Sequence, residues 1–270
     1  MQTLKANRLR LEKFVYDKGT NVALYNAEHH KIYREFEARL YRALLKQIIT
    51  IARNDNFIDS ILLLSKAATP AAEQQVSVFL GAVALTDEVD VSAYLVWAGE
   101  QGGQAALDKL AINGIFGLKN PDLINYFDDS AKLLITSVDD YTKEWIANQI
   151  QEGKTNMLTP YEIAQKMVDE SDEFSQMRAK RIVLTETATA MTKVELEAAT
   201  RYGIQEKIWR TSNDDRVDPI CSDLEGARVG IKQSFPGGYE GPPAHPNCRC
   251  FIEEVIPEAW TPPQNAWLGE

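Results

Sequence analysis

The sequence predicts a mainly α-helical protein that ends in a small C-terminal α+β module, with helices packed on a short antiparallel sheet. Three observations carry that reading. Apolar residues recur at helical spacing over about the first three quarters of the chain, as in Ile32, Phe36, Leu40, Leu44 and Ile48. After Gly203 the pattern changes to short apolar-rich runs bounded by turn residues. Between the last two runs lies the glycine- and proline-rich loop FPGGYEGPPAHP.

Taken in order, a long helix is expected from about Val22 to Ala52, and a second helical region from Phe57 to Lys66. Pro70 opens a third, through about Leu85, because proline fits the first helical turn. Thr86 with Glu88 and Asp90 starts a fourth toward Trp97, where Gly99, Gly102 and Gly103 read as a break. Asn120-Pro121-Asp122 starts the next helix, with Leu123, Phe127, Leu134, Ile135 and Val138 at helical spacing. Thr159, Pro160 and Glu162 form a capping-box pattern. A further helix is expected from about Asp172 to Gly203, whose glycine suits a left-handed C-cap. Strands follow in GIQEKIWRTS, in ARVGI and in CRCFIEEVI, from Cys248 to Ile256. The organisation is then an N-terminal helical region at 1–116, helices at 117–203, the small α+β part at 204–256, and an extended tail at 257–270.

Composition sets the class. Apolar residues make up 44% and charged residues 25% of 270, which is ordinary for a globular protein. The run VSVFLGAVAL, from Val76 to Leu85, is about half of the ~20 apolar residues a membrane span needs. The start MQTLKANRLR has no apolar core behind its charges, so a cytoplasmic protein is expected, with no membrane partner. Net charge is −10, unevenly spread: residues 1–53 hold 11 Lys/Arg against 5 Asp/Glu, and the remainder holds 18 against 34. An acidic body repels phosphate, so DNA contact, if any, falls to the basic arm at 1–53. A solvated helix face explains the same arm more simply, and His29-His30 within it reads as a surface pair. There is no internal repeat and no low-complexity segment.

The informative region begins with RIVLTETATAM (Arg181 to Met191). It continues through Trp209, Asp214-Asp215-Arg216-Val217, Cys221 and Leu224-Glu225-Gly226, and ends in Pro242-Pro243 and His245-Pro246-Asn247-Cys248-Arg249-Cys250. In order and spacing these pieces closely resemble the C-terminal module of the phage Mu F-like head morphogenesis family, over roughly Asn120 to Ile256. The resemblance implies a minor head (capsid) protein of a tailed phage, in the virion near the portal vertex after assembly in the host cytoplasm. It implies the portal protein as partner, with the major capsid or scaffolding protein as further candidates, and a role in DNA packaging or ejection. The first 115 or so residues carry no matching motif.

Read as chemistry, the three cysteines lie in the last fifth of the chain with His245 among them. On a strand, Cys248 and Cys250 would share a face, and His245 sits three residues before Cys248 in a proline-stiffened loop. If Cys221 comes near, these residues can surround a zinc ion, a staple from which so small a module would gain stability. Relatives often carry a second cysteine where this chain has Asp218, so Asp218 is a further candidate ligand. The alternative is that the cysteines are buried small hydrophobes and His245 bonds the loop backbone. Arg249 is expected to pair with Asp214 or Asp215, which otherwise read as a turn cap ahead of Arg216. Glu186, among the threonines of TETAT, reads as locking its helix to the strands. Trp209, Gly226 and Pro243 read as structural positions of the motif.

Two other classes compete with the structural role. A metal-dependent hydrolase or nuclease, or a toxin-like effector, would use His245, Asp214, Asp215 and Glu186. The chain has no P-loop, no HExxH and no Ser/Cys–His arrangement with a third member, so it is expected not to be an enzyme. A DNA-binding virion component would rest on the basic arm alone.

Overall fold

The structure, a computed structural model, describes residues 27–59 and 90–269. The helix expected over Pro70–Leu85, the start signal at Thr86 and Glu88, and the first 26 residues of the basic arm lie outside the described residues. The elements are α1 Ala27–Ala52, α2 Val91–Lys109, α3 Pro121–Thr155, α4 Pro160–Arg201, β1 Glu206–Arg210, α5 Pro219–Leu224, β2 Arg228–Gly230 and β3 Phe251–Glu254. The fold is mostly helical, with one small antiparallel sheet near the C-terminus. The described residues divide into two compact units, one of 34–59, 90 and 129–180, the other of 27–33, 91–128 and 181–269.

The first unit is helical. The stripe of Phe36, Leu40, Leu44 and Ile48 on α1 is buried, as its spacing requires. Asn54 starts the next helical turn at 55–59, its Oδ1 accepting the Phe57 N–H at 3.2 Å. Ile51, Phe57, Ile146, Ile150, Ile163 and Met167 form one core cluster. A buried arginine adds a polar tie: Arg178 Nη1 donates to Thr142 Oγ1 at 2.6 Å, and its guanidinium lies 4.6 Å from the Tyr141 ring centre. The capping box at Thr159 is present in full. Its N–H donates to Glu162 Oε2 at 2.7 Å, and the Glu162 N–H donates back to Thr159 Oγ1 at 3.3 Å.

Two helix boundaries differ from expectation. Gly99, Gly102 and Gly103 do not break α2, which runs on to Lys109. A Cβ at Gly102 would sit 2.0 Å from the Met191 carbonyl oxygen, and one at Gly103 would sit 2.3 Å from the Phe116 ring. These glycines exist for close approach of α2 to α4 and to Phe116; packing offsets the ~1 kcal/mol each costs inside a helix. Nor does a separate helix start near Asp172, because α4 is continuous over 42 residues. Ser171, which could have capped a new start, instead donates to the Val168 carbonyl of its own helix at 2.7 Å. Gly203 closes α4 as expected, at φ +81°, with the Ile204 N–H reaching back to the Ala199 carbonyl at 3.0 Å.

The sheet has the order β2-β1-β3, all antiparallel. On the central strand Lys207 and Trp209 are buried while their neighbours are partly exposed. Trp209 sits in a cluster with Cys221, Leu224, Phe235, Cys248 and Ile252. Lys207 lies inside as well, its Nζ donating to the Glu240 carbonyl at 2.6 Å, and burial lowers its pKa.

The tail at 257–269 is irregular, but it is not a free arm. Trp260 Nε1 donates to the Tyr202 carbonyl at 2.9 Å, and the Tyr202 hydroxyl donates to the Trp267 carbonyl. The Trp267 ring meets Phe116 edge-on at 5.2 Å, and the Arg201 guanidinium lies 4.4 Å from its centre. The Gly269 carbonyl accepts from the backbone N–H groups of Lys119 and Asn120 at 2.7 and 2.8 Å. Polar spacing hid this, because the anchors are aromatic rings in an otherwise loop-like sequence. Trp267→Ala is expected to lower stability by about 2 kcal/mol, read by urea unfolding, since it removes a half-buried ring with two directed contacts.

Candidate metal centre

The site is assembled from three short pieces. Pro219 opens α5 behind Asp218, whose Oδ1 accepts the Ile220 N–H at 2.9 Å. This puts Cys221 on the first turn of α5, facing inward and 1% exposed. The loop before β3 supplies the rest. Asn247 takes a left-handed conformation at φ 61°, and the Cys248 N–H closes a turn onto the His245 carbonyl at 3.2 Å.

The strand expected to begin at Cys248 begins at Phe251 instead. Cys248 and Cys250 therefore converge through a turn, not through the pleat of a strand. The reason is local. The Cys248 sulfur accepts hydrogen bonds from the Cys250 thiol and from the backbone N–H groups of Cys250 and Ala244, which draws the backbone around the sulfur.

The donor atoms meet. Cys221 Sγ lies 3.6 Å from Cys248 Sγ, and His245 Nε2 lies 3.2 Å from Cys221 Sγ. The ligand atoms of Cys221, His245 and Cys248 all lie within 4.8 Å of one another. The Cys250 thiol is near enough to interact electrostatically with both Cys248 and Cys221, although its sulfur lies outside the group of three converging donors. All three cysteines are free of disulfides. His245 Nδ1 lies 2.9 Å from the Pro246 carbonyl oxygen, which holds the proton on Nδ1 and leaves Nε2 as a lone-pair donor toward the sulfurs.

The electrostatics are uneven. The Cys250 thiol and the surrounding N–H groups pull the Cys248 thiol down to about 5, so a thiolate is at home there. Burial pushes Cys221 up to about 12, with the neighbouring Cys248 and Asp218 charges adding to it. The bond to Cys248 raises Cys250. A thiol lowered at Cys248 beside other thiols would favour a cation, whose binding would release protons. Two sulfurs and an imidazole nitrogen converge, and this group of Cys221, His245 and Cys248 can hold a metal ion. The Asp218 carboxylate caps α5 through Oδ1 and, like Cys250, lies outside the group of three converging donors.

The remaining motif residues build the frame. Asp214 accepts a two-pronged pair from Arg249 and the Arg216 N–H at 3.0 Å, and Arg249 holds its carboxyl well below the usual range. Asp215 and Arg216 are exposed, and Arg216 reaches Asp214 only at 3.8 Å. Glu225 ties β1 to α5 through the Thr211 N–H at 2.6 Å and Thr211 Oγ1 at 2.7 Å. Gly226 turns at φ +74°, its N–H donating to the Trp209 carbonyl at 2.9 Å. Pro243 follows a cis peptide bond to Pro242. The threonines of TETAT mostly bond their own helix: Thr185 donates to Arg181, Thr187 to Val183 and Thr189 to Thr185. Thr185 also receives the Asn247 N–H at 3.4 Å, which ties α4 to the metal loop. Glu186 is partly buried on the same stretch, and burial raises its pKa.

Residues 142–253 match the family model described as phage Mu protein F like protein. That segment is similar to the phage Mu F-like family. It starts inside α3 and ends in β3, so every candidate ligand lies within the Mu F-like segment. Comparison with curated proteins and with solved structures returns no match.

One buried cluster carries no sequence motif. Lys109 at the end of α2 forms ion pairs with Glu195 of α4 and, at 3.4 Å, with Glu254 of β3. Lys109 Nζ also donates to the Ile252 carbonyl at 2.9 Å. The Glu-Glu pair at 253–254 looks like solvated sequence, and only the alternation of β3 distinguishes exposed Glu253 from buried Glu254.

Proposed function

We propose that the protein is a minor head protein of a tailed bacteriophage that works in head morphogenesis. It meets the portal protein at the portal vertex and stays in the virion. What carries the reading is the Mu F-like segment at 142–253. Its C-terminal part is a scaffold stapled by one zinc ion. Cys221, His245, Cys248 and Cys250 are the ligands, since soft thiolates with one imidazole are the donors zinc prefers in closed structural sites. Bound there, zinc supplies cross-linking of α5 to the loop before β3, not chemistry on a substrate. The partners of the acidic groups favour a scaffold over a hydrolase. Asp214 is committed to Arg249, and the metal group draws in neither Asp215 nor Glu186. No helix among the described residues is long and apolar enough to cross a membrane, in keeping with a head component.

The test is direct. Tagged full-length protein should recover the portal protein of the same phage from lysates of infected cells, and mass spectrometry of purified virions should find the chain in few copies. Absence from virions together with failure to recover the portal protein would sink the reading.

A further inference from the structure

We infer that Lys109, Glu195 and Glu254 form a proton-dependent latch, in which one proton shared by the two carboxyls keeps β3 docked on α2 and α4. This does not rest on the zinc reading. All three side chains are nearly sealed from solvent: Lys109 is 13% exposed, Glu195 9% and Glu254 2%. They come from three separate elements of one unit, and the same Lys109 amine holds the Ile252 backbone. One ammonium faces two buried carboxyls, so the cluster holds one negative charge too many if both ionise. Two ionised carboxylates there would repel each other, and each would offer only acceptors. A proton on one of them supplies the missing donor. Without it, a buried net charge is left beside an oxygen, Glu254 Oε1, that has no partner among the described residues.

The charges facing the cluster are these three groups and the Ile252 carbonyl. Burial pushes Glu195 up to about 8, against the pull of Lys109. Burial works against the Lys109 charge, but the carboxylates outweigh it and hold its pKa above the ordinary lysine range. The sign follows. A carboxyl whose folded value lies above its unfolded one contributes stability that is full below about pH 4.5. That contribution is lost as pH rises through about 8. The latch therefore holds at neutral and acidic pH and loosens in mild alkali, along the strand that begins directly after Cys250.

Glu195→Gln is the decisive variant, because an amide keeps an acceptor for Lys109 and carries a permanent donor for Glu254. Thermal unfolding of full-length wild type and E195Q should be compared between about pH 4 and about pH 9. Wild type should lose on the order of 5 °C relative to E195Q across that interval, with the two converging at the acid end. The wild-type infrared spectrum should show a protonated-carboxyl band at neutral pH that fades in alkali and is absent from E195Q. Cysteine ionisation cancels in the comparison, since both proteins carry the same thiols. Parallel pH profiles, or no protonated-carboxyl band in wild type at neutral pH, would overturn the latch. Glu254→Gln serves as a second variant with the same expected flattening should E195Q not fold.

Discussion

Replacing Cys248 by serine is expected to strip the metal from the protein and unfold the sheet end of the chain, while the helices of the unit at 34–59, 90 and 129–180 keep their circular dichroism. Cys248 is the sulfur with the most partners: the Cys250 thiol, the backbone N–H groups of Cys250 and Ala244, and Cys221 at 3.6 Å. Structural zinc contributes roughly 10 kcal/mol or more in small modules. This module keeps an apolar cluster around Trp209, so part of that energy is redundant here. A loss above about 4 kcal/mol is expected, measured by denaturant unfolding with and without a chelator. Asp218→Ala is the informative contrast. It should keep the metal and cost about 1 kcal/mol, the value of an N-cap. Metal loss in Asp218→Ala, with metal retained in Cys250→Ser, would reverse the ligand assignment.

The second large effect is expected at Gly102. Valine there would push its Cβ to within 2.0 Å of the Met191 carbonyl oxygen, and backbone cannot swing away as a side chain can. Relief requires α2 and α4 to part, which disturbs Lys109 and Glu195 further along the same pair of helices. Gly102→Val should therefore cost more than about 4 kcal/mol or leave no soluble folded protein, read by expression level and thermal unfolding. Gly117→Ala is the control, since nothing lies within 4 Å of its added Cβ and its backbone is not left-handed. It should be neutral, or stabilising by about 0.5 kcal/mol.

What the sequence made legible was decided by how local the physics is. The stripe on α1, the capping box at Thr159, the start at Asn120 and the C-cap at Gly203 are each set within a few residues, and each stands where the spacing placed it. The glycines of α2 misled because their reasons lie outside the helix, at Met191 for Gly102 and at Phe116 for Gly103. The cysteines were legible as a cluster because proline, asparagine and the short spacing fix the loop. Their geometry was not, because N–H to sulfur bonds turn 248–250 away from strand. The docked tail and the Lys109 cluster were invisible for a common cause. Aromatic or charged residues were brought together from segments far apart, with no periodicity to announce them.

We propose that a zinc staple of Cys221, His245, Cys248 and Cys250 organises the C-terminal end of the chain. X-ray absorption at the zinc edge of the purified full-length protein tests it most directly. One zinc per chain with three sulfurs at about 2.3 Å and one nitrogen at about 2.0 Å is the expected result. A metal-free protein that folds normally, or a shell dominated by oxygen, would contradict it.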